Sequence, residues 1–187
     1  MELAALAEYA ASNIEPLVDG LGQPSYRCAA RLKDGLYLPC IVLESLPARV
    51  DLAIRRFEET IAENKRGLLG GKPKFRGFTY RDMVRTFATN TNQLTHYDIE
   101  SVEPSSFAIP VARLAEVKGE TSMAWTQFTG TMQDGREFTF GTTFLMEFFQ
   151  MPAGYVGTDV TAIESHKKSS AEIYRERPYF RCFVDGL

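Results

Sequence analysis

The stretch from Ser122 to Phe149, SMAWTQFTGTMQDGREFTFGTTFLMEFF, decides the fold class of this chain. It is rich in aromatic residues and threonine, which suit a pleated, half-buried surface. At its centre lies Asp134-Gly135, a pair that accepts the positive φ angles of a tight hairpin turn. The pattern predicts two antiparallel strands joined by a two-residue turn. Such pairing sets Trp125 opposite Phe144, with Phe138, Phe140 and Met146 on the same face. It also sets Gly141 opposite Phe128, where a ring covers the bare backbone.

A second stretch repeats the design. SYRCAARLKDGLYLPCIVLES, residues 25–45, turns at Asp34-Gly35. A two-residue turn there predicts Leu32 facing Tyr37, Cys28 facing Ile41 and Tyr26 facing Leu43, with Arg27 and Arg31 on the other side. Pro39 has no N–H to give to a ladder, so it marks an edge strand or a bulge.

Helical periodicity surrounds these strands. ELAALAEYAASNI (2–14) aligns Leu3, Leu6, Ala10 and Ile14 on one face. In residues 45–67, Pro47 opens a helix and Gly67 follows its end, and Val50, Ile54, Phe57 and Ile61 form a stripe expected to be buried. A further helix is predicted to start near Thr79, and another over 110–119. Residues 95–104 read as a short strand, 164–177 as a polar helix or loop, and 178–187 as a last strand with Phe180, Cys182 and Val184 turned one way. The expected architecture is a single α+β domain, residues 1–187. An antiparallel sheet built from two Asp-Gly hairpins plus extra strands carries three or four helices mainly on one side.

Composition narrows the function classes. The chain has 187 residues, 44% of them apolar and 24% charged, enough for one core without metal or disulfide staples. Its formal charge of −3 gives no global attraction to nucleic acid or membranes. Cys28, Cys40 and Cys182 are odd in number and form no CxxC pair, which fits reduced thiols and a cytoplasmic protein. The N-terminus carries Glu2 and Glu8 and no basic cluster, unlike a signal peptide.

Against this acidic background, KRGLLGGKPKFRG (65–77) gathers five basic side chains, four glycines and no acid. A phosphate-binding Walker loop is excluded: Arg66 stands where its first glycine belongs, and Pro73 replaces the Ser or Thr that holds magnesium. GLLG is also a poor match to the GXXG loop of KH domains, because GKPKF is a poor helix start. What remains is a basic, aromatic tether. Lys65, Arg66, Lys72, Lys74, Phe75 and Arg76, continued by Arg81 and Arg85, are the candidate binding residues for an acidic protein partner or, alternatively, for nucleic acid.

A second pattern is chemical. Asp98 followed by Glu116-Val117-Lys118 resembles, in those three residues, the PD-(D/E)xK nucleases, whose carboxylates hold a metal while the lysine assists water. No proline precedes Asp98. In a helix over 110–119, positions i and i+2 diverge by about 200°, so the three groups are expected not to converge. His166 has no partner at metal-ligand spacing, and RERPYFR (175–181) reads either as a charged strand face or as part of a binding surface. The expectation is a cytoplasmic, non-catalytic partner-binding protein (adaptor, inhibitor or assembly factor) with no catalytic set, metal or cofactor. The alternatives are a polyanion binder through the same segment, or an enzyme or small-ligand protein with a pocket under the aromatic sheet.

Overall fold

Both Asp-Gly turns are one residue longer than a two-residue loop. The computed structural model describes residues 2–18, 23–45, 50–51, 54–59, 61–62, 93–143 and 145–187. In it Gly35 N–H donates to Leu32 O and Leu32 N–H to Leu36 O, both at 2.8 Å. Gly135 N–H likewise donates to Met132 O (2.9 Å), and Met132 N–H to Arg136 O (2.8 Å). The glycines hold left-handed φ values of 89° and 83°. Each aspartate carboxylate accepts the N–H two residues on, from Leu36 (2.9 Å) and Arg136 (3.1 Å). These bonds select a three-residue loop closed by a glycine bulge.

The described elements are α1 (Leu3–Asn13), β1 (Pro16–Val18), β2 (Pro24–Leu32), β3 (Tyr37–Glu44), β4 (Gln93–Leu94), β5 (Ile99–Pro104), α2 (Val111–Leu114), β6 (Thr126–Met132), β7 (Glu137–Thr142), β8 (Val160–Ser165), β9 (Ile173–Arg175) and β10 (Phe180–Phe183). The chain is α+β, with sheets of mostly antiparallel strands. The first sheet runs β1-β2-β3-β10-β4, with β5 also paired to β2. The second runs β8-β6-β7-β9. Two strands depart from the antiparallel pattern: β10 is parallel to β3 and β4, and β9 is parallel to β7.

In the first sheet Cys28 pairs with Ile41 and Tyr26 with Leu43, but Arg31, not Leu32, faces Tyr37. The register shifts between Cys28 and Ala30, so Pro39 and Cys40 together oppose Ala29. In the second sheet the longer turn moves every pair by one: Phe128 faces Phe140, not Gly141. The ring that covers Gly141 is Trp125, which sits where a Cβ would point. Phe144 lies outside the described residues.

Apolar burial follows this register. Leu6, Ala7, Ala10 and Ile14 of the α1 region pack on Tyr26, Cys28, Ala30, Leu32, Ile41, Leu43, Ile99, Val102, Cys182 and Val184. Each fully buried aliphatic or aromatic side chain stabilises by roughly 1.5–3 kcal/mol. The opposite face of the first sheet, Cys40 and Val42, meets Phe148 with half-buried Phe107, Ala108 and Tyr179. The second sheet has its own core, centred on Phe128, Phe140 and Phe149, whose centroids lie 5.4–5.9 Å apart.

Several expected elements differ. The helix over 110–119 shrinks to Val111–Leu114, residues 96–98 form a 3-10 turn before β5, and 164–177 contains the end of β8 and all of β9. Helix α1 lies against the first sheet and α2 against β8. Residues 50–51, 54–59 and 61–62 are helical, but Phe57 is half-buried and Ile61 is 39% exposed, so this stripe does not reach a closed core. Among the described residues, no helix is long and apolar enough to cross a membrane.

Candidate functional site

Lys65, Arg66, Lys72, Lys74, Phe75, Arg76, Arg81 and Arg85 lie outside the described residues. The structure describes the chain on either side of them: the helical residues up to 62, and β4, the strand at one edge of the first sheet. Residues 65–85 hold seven of the chain's 21 basic side chains and one of its 24 acidic ones.

Asp98 lies beside the first sheet, and the Glu116/Lys118 pair beside the second. Asp98 ends the 3-10 turn His96–Asp98, and its carbonyl accepts Lys33 N–H (2.9 Å) at the turn end of β2 and β3. The turn starts at Thr95, whose hydroxyl accepts Tyr97 N–H, and the His96 and Tyr97 rings meet at a tilt, their centres 4.0 Å apart. The strand expected over 95–104 therefore begins only at Ile99, with His96 and Asp98 in the turn before it. Among the described residues, no group of three or more His, Cys, Asp or Glu is arranged to hold a metal ion.

Glu116 and Lys118 line an open depression of about 530 Å³ with Ile163, Glu164, Ser165 and His166. Its walls form because α2 stops early. Glu116 turns off the helix, and its carboxylate accepts Ile163 N–H (2.9 Å) on the outer edge of β8 and Arg113 (2.6 Å). The Ile163 amide first, and Arg113 second, hold this carboxyl below the usual carboxylate range. Ser165 completes the patch: its hydroxyl donates to Glu116 O (3.0 Å) and accepts Lys118 N–H (2.8 Å). The His166 ring bonds the Lys118 carbonyl through Nε2, and its backbone N–H donates to Gln127 O (2.9 Å). Side chains thus replace a strand ladder along β8. Ser165 has no histidine on its hydroxyl, so the pair is not a nucleophile and base. The sequence offered no cue to this juxtaposition, because Lys118 and His166 are 48 positions apart.

The arginines of RERPYFR serve packing. Arg175 lies 5.0 Å from the Trp125 ring centre, and Arg177 lies 4.0 Å from that of Phe107. Arg181 makes a two-pronged bond to Glu44, at 2.8 and 2.9 Å. Tyr179 joins this group, accepting from Arg181 (3.2 Å) and donating to Glu147 (3.0 Å). Burial, then the charge of Glu147, pushes the Tyr179 hydroxyl up to about 12.

Between the sheets lies Arg27, 3% exposed. It donates to Ile109 O (2.8 Å) and approaches the Glu15 carboxylate at 3.5 Å. Burial lowers its affinity for its proton, and Glu15 and Glu147 act the other way. Arg27 Nε and Glu147 Oε2 are buried without a protein partner, the setting in which buried water serves. The three thiols are free and buried, and burial raises that of Cys40 to about 11 and that of Cys182 to about 12. Such thiols are poor nucleophiles.

Compared with known proteins by sequence and by fold, the chain matches no family model, no characterised protein and no solved structure.

Proposed function

We propose that this is a non-catalytic binding protein that engages an acidic protein partner through residues 65–85. The observation that carries the reading is the segregation of charge. Outside 65–85 the chain has 14 basic side chains against 23 acidic ones, whereas inside it has seven against one. A strongly basic segment in an otherwise acidic chain steers an acidic surface to one place and repels it elsewhere. The described chemistry agrees: Glu116, Ser165 and the buried cysteines, the groups a catalyst would use, are tied into the fold. The reduced thiols suit a cytoplasmic setting.

Phe75, within the basic run, favours a second reading, in which single-stranded nucleic acid stacks on the ring while the cations hold its phosphates. One variant tests both. Lys72, Lys74 and Arg76 changed together to Ala should lower capture of the partner at low salt by at least about tenfold. If the partner is nucleic acid, the slope of log affinity against log salt should flatten by roughly two to three units. A triple variant that retains every partner at every salt concentration overturns the proposal.

A further inference from the structure

The depression beside β8 contains positive charge that its own walls do not use. Both carboxylates on its rim are engaged, Glu116 by Arg113 and the Ile163 amide, Glu164 by Lys167 at 2.9 Å. The Lys118 ammonium, by contrast, meets no carboxylate among the described residues. The His166 ring, which lines the same depression, is held at the Lys118 backbone carbonyl. A carbonyl can only accept, so the Nε2 that bonds Lys118 O carries the hydrogen, and Nδ1 is the remaining position of the ring. The His166 backbone has a φ of 63°, left-handed and uncommon for a residue other than glycine. Strained residues of this kind cluster at binding sites. The bond from His166 N–H to Gln127 O and the Ser165 bridge to Glu116 keep it there.

We propose that this depression binds a small oxyanion, held between the Lys118 ammonium and the His166 imidazolium, with Ile163 as its apolar wall. The site is distinct from residues 65–85 and does not depend on their role. Its chemistry fixes a pH dependence. A neutral ring presents a lone pair at Nδ1, which repels an anion. A protonated ring presents an N–H there while still serving the Lys118 carbonyl, so protonation of the ring strengthens binding. The other charges around His166 are Glu116 and Arg113 at the end of α2, and Glu164 and Lys167 at the end of β8. Arg113 pairs with Glu116, and Lys167 with both Glu164 and Glu137, which leaves the Lys118 ammonium without a carboxylate among the described residues.

The chain has two histidines, so proton NMR of their ring signals gives a probe and an internal control. Inorganic sulfate, which remains dianionic, is titrated at about pH 5.5 and about pH 8. The expected result is a saturable shift of the His166 signal, with affinity at least about threefold tighter at the lower pH and no shift of His96, on the other sheet. Lys118→Ala should weaken sulfate binding by about tenfold, and His166→Asn, which tolerates the left-handed backbone, should remove the pH dependence. No saturable shift of His166, equal shifts of both histidines, or wild-type affinity in Lys118→Ala overturns the proposal.

Discussion

In the first sheet the hairpin from Lys33-Asp34-Gly35 runs through Arg31–Tyr37 and Ala30–Leu38, and then β3 inserts Pro39-Cys40 opposite the single residue Ala29. In the second sheet the hairpin from Gln133-Asp134-Gly135 runs without a break from Thr131–Glu137 to Thr126–Thr142. The turns are the same and the outcomes differ. A bulge reverses the alternation of a strand. It therefore lets Leu38, an even position, share the α1 face with the odd positions Ile41 and Leu43, while Cys40 and Val42 cover the other side. Strand β7 has no such break against β6, so Phe138 and Phe140 turn strictly to the aromatic core, and Thr139 and Gly141 to the opposite face, where Ser169, Ser170 and Trp125 cover them. Proline is suited to the bulge because it leaves no ladder N–H unpaired.

The strongest test of the unbroken register is Phe140→Ala. Phe140 is 0% exposed and touches Phe128, Phe149 and Tyr174, so a denaturant melt should show a loss of about 3–5 kcal/mol. A loss under about 1 kcal/mol would mean that this face is not the core. The half-buried Phe57 should lose less than half as much as Phe140 in the parallel Ala variant.

Gly141→Ala is the next probe. A methyl there collides with the Trp125 ring and touches Ile173. The expected cost is about 1–3 kcal/mol, with a shift in the emission of the sole tryptophan. Unchanged emission would return Gly141 to a position under Phe128. Gly35→Ala and Gly135→Ala come third. Neither methyl meets an atom within 4 Å, and both glycines have positive φ. Each should therefore cost about 1 kcal/mol and the two costs should match. A clear inequality would show that the bulge transmits strain into the first turn.

Away from neutrality, pH separates the sheets most gently. The first sheet holds Cys40 and Cys182, and Tyr179 packs against it, all with folded pKa values raised by burial to about 11 or 12. Below the unfolded values both states keep these protons, so the full stability is present. As pH rises past about 9 the unfolded thiols ionise first, and stability is lost progressively up to the folded values. The second sheet holds Glu116 and Asp134, both lowered, the first by the Ile163 amide and the second by the Tyr155 hydroxyl. Their contribution is present above the ordinary carboxylate range and is lost as pH falls through their folded values. Amide exchange at the two ends of the pH range should loosen the first sheet in alkali and the β8 edge in acid. The reverse assignment would refute it.

Much of this was legible in the residues, and the gaps have identifiable causes. The α1 face can be read because Leu6, Ala10 and Ile14 fall at helical spacing with nothing to override them. Turn length cannot, because Asp-Gly fits both a two-residue loop and the three-residue loop that the aspartate carboxylates select. In the first sheet the bulge cancels that error beyond Pro39, so Cys28–Ile41 and Tyr26–Leu43 still match. In the second sheet nothing cancels it. The end of α2 was illegible for another reason: Glu116 has ordinary helix propensity and leaves the helix to reach a distant amide, Ile163. The same long-range bond hides the depression, whose walls come from two segments that no spacing rule connects.

Strand β10 has a consequence for how the chain is made. It comes after all the other described strands, yet it lies between β3 and β4 in the first sheet, with Cys182 and Val184 fully buried against the α1 face. Until it arrives, β3 and β4 each lack, among the described strands, the partner that covers this edge, and the layer beneath α1 lacks two of its side chains. A growing chain can close the uninterrupted β6–β7 hairpin from neighbouring residues while it is still being synthesised. The first sheet, although its hairpin emerges earlier, waits for residues 180–184. The half of the molecule translated first is thus the half completed last, and during that interval its open β3 edge is the place where a chaperone, or a second copy of the chain, would find a strand to pair with.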